Sequence, residues 1–148
     1  MDSSRSIENL LYTYAERIDM GDLEGVAELF RGAVITSPTG GESRGYEAVL
    51  SLYQTSTRLY ADNNTPHTKH VTTNPIIELQ SDTTATCRSY FTVFQSLPDF
   101  PIQPIISGRY HDEFEKADGV WRFKKRTMLP ELFGDLSQHL LFDASDIQ

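Results

Sequence analysis

The chain has 148 residues, with 13 lysines and arginines against 21 aspartates and glutamates, a formal charge of −8 that repels phosphate backbones and argues against a general nucleic-acid binder. With 39% hydrophobic and 11% aromatic residues it can build a packed core, which excludes a disordered chain. The single cysteine, Cys87, excludes an internal disulfide framework and any multi-cysteine metal site, and no apolar run reaches bilayer length or forms a signal-peptide core, so the expectation is a cytoplasmic protein without membrane contact.

Ile7, Leu10, Leu11, Tyr14, Ala15 and Ile18 recur at three- and four-residue spacing and predict an amphipathic helix. Gly21 fits its stop, and Asp22 fits the N-cap of a second, shorter helix that buries Leu23, Val26, Ala27 and Phe30. Residues 31–37 read as a strand and Thr39-Gly40-Gly41 as a turn. Tyr46, Val49, Leu50, Tyr53 and Tyr60 predict a third amphipathic helix, closed by the polar loop from Ala61 to Pro66. Beyond it the period changes to two. Segments 68–80, 83–96, 102–117 and 120–129 alternate and are rich in Thr, Val, Ile, Phe and Tyr, with turns expected at Asp82-Thr83 and Asp118-Gly119.

Helices followed by a meander of strands predict an α+β fold with the sheet curled around the helices. Segments 83–96 and 102–117 exceed the usual strand length, so the sheet must bend or bulge. With no repeat, linker or low-complexity tract, residues 1–148 are expected to form one domain. Within it, about 128–148 serves as a C-terminal lid or a subunit contact.

Walker-type phosphate loops, dinucleotide-binding glycine patterns, nucleophile elbows and metalloprotease helices are all absent. Chemistry must come from scattered residues. Asp19 falls in the last turn of the first helix, where the helix dipole disfavours an anion, at the edge of the apolar arc. It either faces water beside Asp22 or has a partner. On the strand from Thr68, alternation puts His70, Thr72 and Asn74 on one face, which is either a wet outer surface or the lining of a polar cavity. An Asp–His pair would make a general base, the carboxylate fixing the tautomer and leaving the other ring nitrogen free to take a proton.

The next strand poses the same choice. Ala85, Cys87, Ser89, Phe91 and Val93 share one face; Thr86, Arg88, Tyr90, Thr92 and Phe94 share the other, a mixed set that suits a pocket wall or a solvent face. Gly108, Tyr110, Asp112 and Phe114 share a face, and Trp121 and Phe123 read as core. Arg126, pointing the other way with Arg122 and Lys124, is a candidate for binding a carboxylate or enolate oxygen, or belongs to a solvated basic edge. His67-x-x-His70 lacks a third ligand and carries little metal signal. His139 sits in an apolar segment with Leu136, Leu140, Leu141 and Phe142 and says nothing distinctive.

Four stretches resemble, in order and spacing, the SnoaL-like branch of the nuclear-transport-factor-2-like superfamily: Tyr14 to Asp22, Thr68 to Asn74, Gly108 to Glu115 and Asp118 to Phe123. The resemblance covers the chain from Ile7 to about Leu141. It implies a cone in which a curved, mostly antiparallel sheet wraps three helices around a deep apolar pocket. Members such as scytalone dehydratase, hexachlorocyclohexane dehydrochlorinase and bile-acid 7α-dehydratase carry out eliminations with a histidine base supported by an aspartate and no metal or organic cofactor. Their aspartate matches Asp19 and their histidine His70. Tyr14 and Arg126 match further pocket positions, and Tyr90 and Tyr110 would line the pocket.

The resemblance thus implies a cofactor-independent lyase or isomerase acting on a small apolar or cyclic molecule, with Asp19 and His70 catalytic. Tyr14, Tyr46, Tyr53, Arg88, Tyr90, Phe94, Tyr110 and Arg126 would bind substrate. Homodimers or homotrimers are common among such relatives. The chain departs from scytalone dehydratase in lacking its second strand histidine near Tyr90, and in carrying Gly108 and Tyr110 where that enzyme has serine and asparagine. The alternative is a non-catalytic ligand-binding or assembly subunit of the same fold, like the small subunit of ring-hydroxylating dioxygenases.

Overall fold

Asp2 opens the first helix by accepting the Arg5 main-chain N–H, and α1 (Ser3–Asp19) buries Ile7, Leu11, Tyr14, Ala15 and Ile18, the face that its spacing predicts. This is a computed structural model that describes residues 2–148. The helix ends in a Schellman turn: Asp22 N–H donates to the Arg17 carbonyl and Gly21 N–H to the Ile18 carbonyl, both at 2.9 Å. Gly21 adopts φ +74°, and a Cβ there would lie 2.1 Å from the Asn64 carbonyl oxygen, so glycine is required twice over. Asp22 then caps α2 (Leu23–Glu28) through the Gly25 N–H.

A short hairpin, β1 (Val34–Ser37) and β2 (Gly41–Arg44), precedes α3 (Gly45–Ser56). The expected strand thus begins later, and β2 is an element that the sequence pattern does not announce, only Gly41 of it falling in the expected turn. Tyr60 lies beyond α3, in an isolated bridge with Thr65, because the helix stops at Ser56 and Thr57 is already extended. Four long strands follow, close to their expected bounds: β3 (Thr68–Leu79), β4 (Thr84–Leu97), β5 (Phe100–Ala117) and β6 (Val120–Phe133).

The six strands form one curved, unclosed sheet in the order β2-β1-β6-β5-β4-β3, antiparallel except where β1 runs parallel to β6. Bulges supply the bend that the strand lengths demand. Register shifts fall between Thr73 and Ile76 in β3, beside Val93 in the β4–β5 pair, and at Ser107 and Glu113 in the β5–β6 pair. The inner face packs on the helices through a core that includes Phe30, Phe114, Phe123 and Trp121. After β6 the chain folds back: Leu140 bridges to Thr57, and Leu141 N–H donates to the Ser56 carbonyl at 3.0 Å. Among the described residues no helix is long and apolar enough to cross a membrane.

Candidate active site

β3 is an edge strand, so its outward main-chain donors are free to bond something other than a neighbouring strand. The end of α1 provides the acceptor. His70 N–H donates to Asp19 Oδ2 at 2.8 Å, the Thr68 hydroxyl donates to Oδ1 at 2.9 Å, and His70 Nδ1 lies 2.7 Å from the same Oδ1. These three donors compensate the unfavourable end of the helix dipole and hold the carboxylate in one orientation. Facing a carboxylate, Nδ1 carries the proton, which leaves Nε2 as the basic nitrogen. The hydrogen bonds of His70 to described residues run through its main-chain N–H and Nδ1, none through Nε2, and its side chain keeps 9% of its surface.

His70 lines a cavity of about 230 Å³ whose walls are mostly apolar, with Ile18, Ile35, Leu52, Phe91, Val93 and Met128 among them. Polar side chains line it too, Ser37, Ser43, Ser56 and Thr57 among them besides the tyrosines. Tyr14 and Tyr53, both in the wall, hydrogen-bond each other through their hydroxyls. Tyr110 lies beside them, its ring centroid 6.0 Å from that of Tyr14 and stacked on Phe91 at 4.4 Å. Burial, reinforced by the neighbouring Tyr14, raises the Tyr53 and Tyr110 phenols well above their ordinary range. Both remain neutral hydrogen-bond donors. In a pair of hydroxyls only one proton is consumed by the mutual bond, which leaves the other O–H to turn to a ligand or to the neighbouring Tyr110 hydroxyl.

Arg126 stands behind this wall rather than in it. Lys124 is the extra residue of the bulge at Glu113, and the resulting shift turns Arg126 to the inner face instead of outward with Arg122. Its side chain has no exposed surface and pairs with Asp112 through bonds of 2.8 and 3.0 Å. The guanidinium packs 4.3 Å from the Tyr14 ring centroid and 3.7 Å from that of Tyr110. Burial pushes the Asp112 carboxyl above its ordinary range, against the pull of Arg126.

Of the sequence-derived candidates, the structure gathers Asp19, His70, Tyr14, Tyr53 and Tyr110. It sets the others apart. The inner face of β4 is Ala85, Cys87, Ser89, Phe91 and Val93, because the apolar set must meet the core; Arg88 therefore points outward to Glu78, and Tyr90 is 53% exposed. Phe94 is half-buried on that same outer side, away from the cavity. Tyr46 lies beneath the Arg31 guanidinium, outside the lining. His67 bonds Asp62 at 2.9 Å and does not converge on His70.

A second histidine in the cavity wall carried no signal in the sequence pattern. His139, from the segment after β6, lines the cavity with its ring centroid 6.2 Å from that of His70. Burial, aided by the neighbouring His70, lowers its pKa from 6.5 to about 3, so it is neutral near pH 7. The absence of any periodicity around residues 134–142 hid it.

The sequence model of the SnoaL-like domain family matches residues 1–127. No curated protein matches the chain. Among solved structures, a scytalone dehydratase-like protein from Novosphingobium aromaticivorans is 26% identical, with a TM-score of 0.71 over 89% of this chain and 86% of that one. A protein of unknown function from Mycobacterium tuberculosis is 25% identical, with a TM-score of 0.70 over 85% of this chain and 70% of that one. The LinA-type3 hexachlorocyclohexane dehydrochlorinase from Novosphingobium barchaimii shares the fold at 24% identity, with a TM-score of 0.69 over 89% of this chain and 88% of that one.

Proposed function

The chain belongs to the SnoaL-like domain family, and from its site we propose that it is a cofactor-independent lyase or isomerase that removes a proton from carbon in a small cyclic substrate. The observation that carries this reading is the Asp19–His70 pair, with Nδ1 engaged at 2.7 Å and Nε2 unbonded, beside an apolar cavity. A volume of about 230 Å³ accommodates a molecule of one or two rings.

In the proposed reaction, His70 Nε2 takes a proton from a C–H bond acidified by a carbonyl or an adjacent leaving group. The electron pair of that bond moves into a new carbon–carbon double bond. In an isomerisation the charge rests on the carbonyl oxygen as an enolate until His70 returns the proton to another carbon; in an elimination the leaving group departs with its own bonding pair as the double bond forms, and His70 gives up its proton to that group or to water. Asp19 faces the imidazolium as it forms and keeps the ring in the productive tautomer. The free hydroxyl of the Tyr14–Tyr53 pair donates to the oxygen or leaving group on which negative charge builds, and the dry apolar wall strengthens that bond. Arg126, out of reach of a ligand, positions the Tyr14 and Tyr110 rings.

Solvent-exchange kinetics test the reading without knowledge of the natural substrate. In deuterated water the protein should catalyse deuterium uptake beside the carbonyl of enolisable cyclic ketones such as 1-tetralone, followed by NMR. His70→Ala should remove that catalysis. Equal uptake with wild type, His70→Ala and buffer would leave a ligand-binding module of the same fold.

A further inference from the structure

His139 reaches the cavity from a segment that is strapped in place. Arg58 N–H donates to the His139 carbonyl at 2.9 Å, the Gln95 side-chain amide to the Gln138 carbonyl at 3.0 Å, and the Tyr60 hydroxyl to that same carbonyl at 2.5 Å. The backbone is therefore well anchored, yet the ring is not. Nδ1 is buried without a hydrogen-bond partner, and no described residue bonds the other ring nitrogen either, although the residue keeps only 7% of its surface. Nδ1 is sealed from the cavity as well as from partners, so the nitrogen that a cavity ligand can meet is Nε2, and an unpaired polar atom on a cavity wall points to a partner that arrives with the ligand. The remaining neighbours do not supply it: His70 faces it ring edge to ring face, and its own segment contributes only the apolar Leu136, Leu140 and Phe142 to the lining.

We infer that His139 is a specificity-determining residue that hydrogen-bonds an oxygen function of the substrate, separate from the oxygen met by the Tyr14–Tyr53 pair. In the neutral imidazole Nε2 is an N–H donor in one tautomer and a bare acceptor in the other, and a hydroxyl, which can give or take a hydrogen bond, meets either. The substrate class is then a ring compound bearing a hydroxyl in addition to its activating group, in preference to a plain hydrocarbon or halogenated ring. The inference rests on the cavity being the substrate site, as proposed above, but not on His70 being the base.

Calorimetric titration of the full chain with 1-tetralone and with hydroxy-1-tetralones carrying the hydroxyl at each free ring position tests it. At least one isomer should bind wild type roughly tenfold more tightly than 1-tetralone, a margin suited to one buried hydrogen bond. His139→Leu should abolish that advantage and His139→Gln, which keeps a donor and an acceptor, should retain part of it. The ratio of the two affinities is the readout, because a merely structural defect would weaken all the ketones alike. No favoured isomer in wild type, or an advantage that survives in His139→Leu, overturns the inference. Deuterium uptake into 1-tetralone judges His70 separately, so failure of the base leaves the affinity ratio to decide on His139 alone.

Discussion

Asp112 and Arg126, on neighbouring strands, form a two-bond ion pair in which neither side chain has any exposed surface. Removing one partner strands the other charge in the core, which typically costs ~3–5 kcal/mol. Arg126→Met and Asp112→Leu should each lower the unfolding free energy, read from urea titration, by that order. The double variant, which leaves no unpaired charge, should recover most of the loss. Additive losses in the double variant would mean that the pair contributes through other contacts, chiefly the Tyr14 and Tyr110 rings packed on the guanidinium.

The two members of the proposed base should fail differently. His70→Ala removes the proton acceptor and should lower turnover by ~10²–10⁴-fold. Asp19→Asn keeps the shape of the side chain but presents an N–H₂ to donors that need an acceptor. Turnover should fall while ketone affinity stays near that of wild type. Measured Kd and exchange rate, taken together, separate these outcomes from simple unfolding.

The tyrosine pair leads to a non-additivity test. With Tyr14 and Tyr53 sharing a single hydrogen bond, either hydroxyl can serve the ligand when the other is removed. Tyr14→Phe and Tyr53→Phe should each cost less than about threefold in kcat, whereas the double variant should lose roughly 10²–10³-fold, the usual effect of deleting an oxyanion donor and well beyond the product of the two single losses. A single variant that by itself loses as much as the double would assign the donor role to that hydroxyl only.

Much of this arrangement was legible in the chain, and the misses share a physical pattern. Spacing of Ile7, Leu11, Tyr14 and Ile18 with Gly21 behind them specifies α1 and its Schellman end, and an anion at the wrong end of a helix dipole is what marked Asp19. The long strands were readable from alternation. Alternation, however, states only that a strand has two faces, not which one is inside, so Arg88, Tyr90 and Phe94 were candidates for a wall that Phe91 and Val93 in fact build. Nor does it reveal bulges: the extra residue at Lys124 reverses the direction of Arg126. β2 is short, polar and held by pairing with β1, and His139 lies where no period exists, so both depend on tertiary contacts that single residues do not announce.

His139 also makes stability depend on acidity. The ordinary pKa of 6.5 is expected in the unfolded chain, while burial holds the folded value at about 3. Between those values the unfolded chain binds a proton at this position and the folded chain does not. The neutral ring's contribution is thus fully present above about pH 6.5 and is lost progressively as the pH falls toward 3. Asp112, with its carboxyl raised by burial, works in the opposite direction, but it is common to wild type and variant and cancels in their difference. His139→Leu, with nothing to protonate at this position, should therefore lose less stability than wild type when urea midpoints are compared between about pH 7 and pH 4. Parallel losses in the two proteins would mean that the folded chain accepts the proton at His139 freely, and that the ring is not held neutral within the cavity wall.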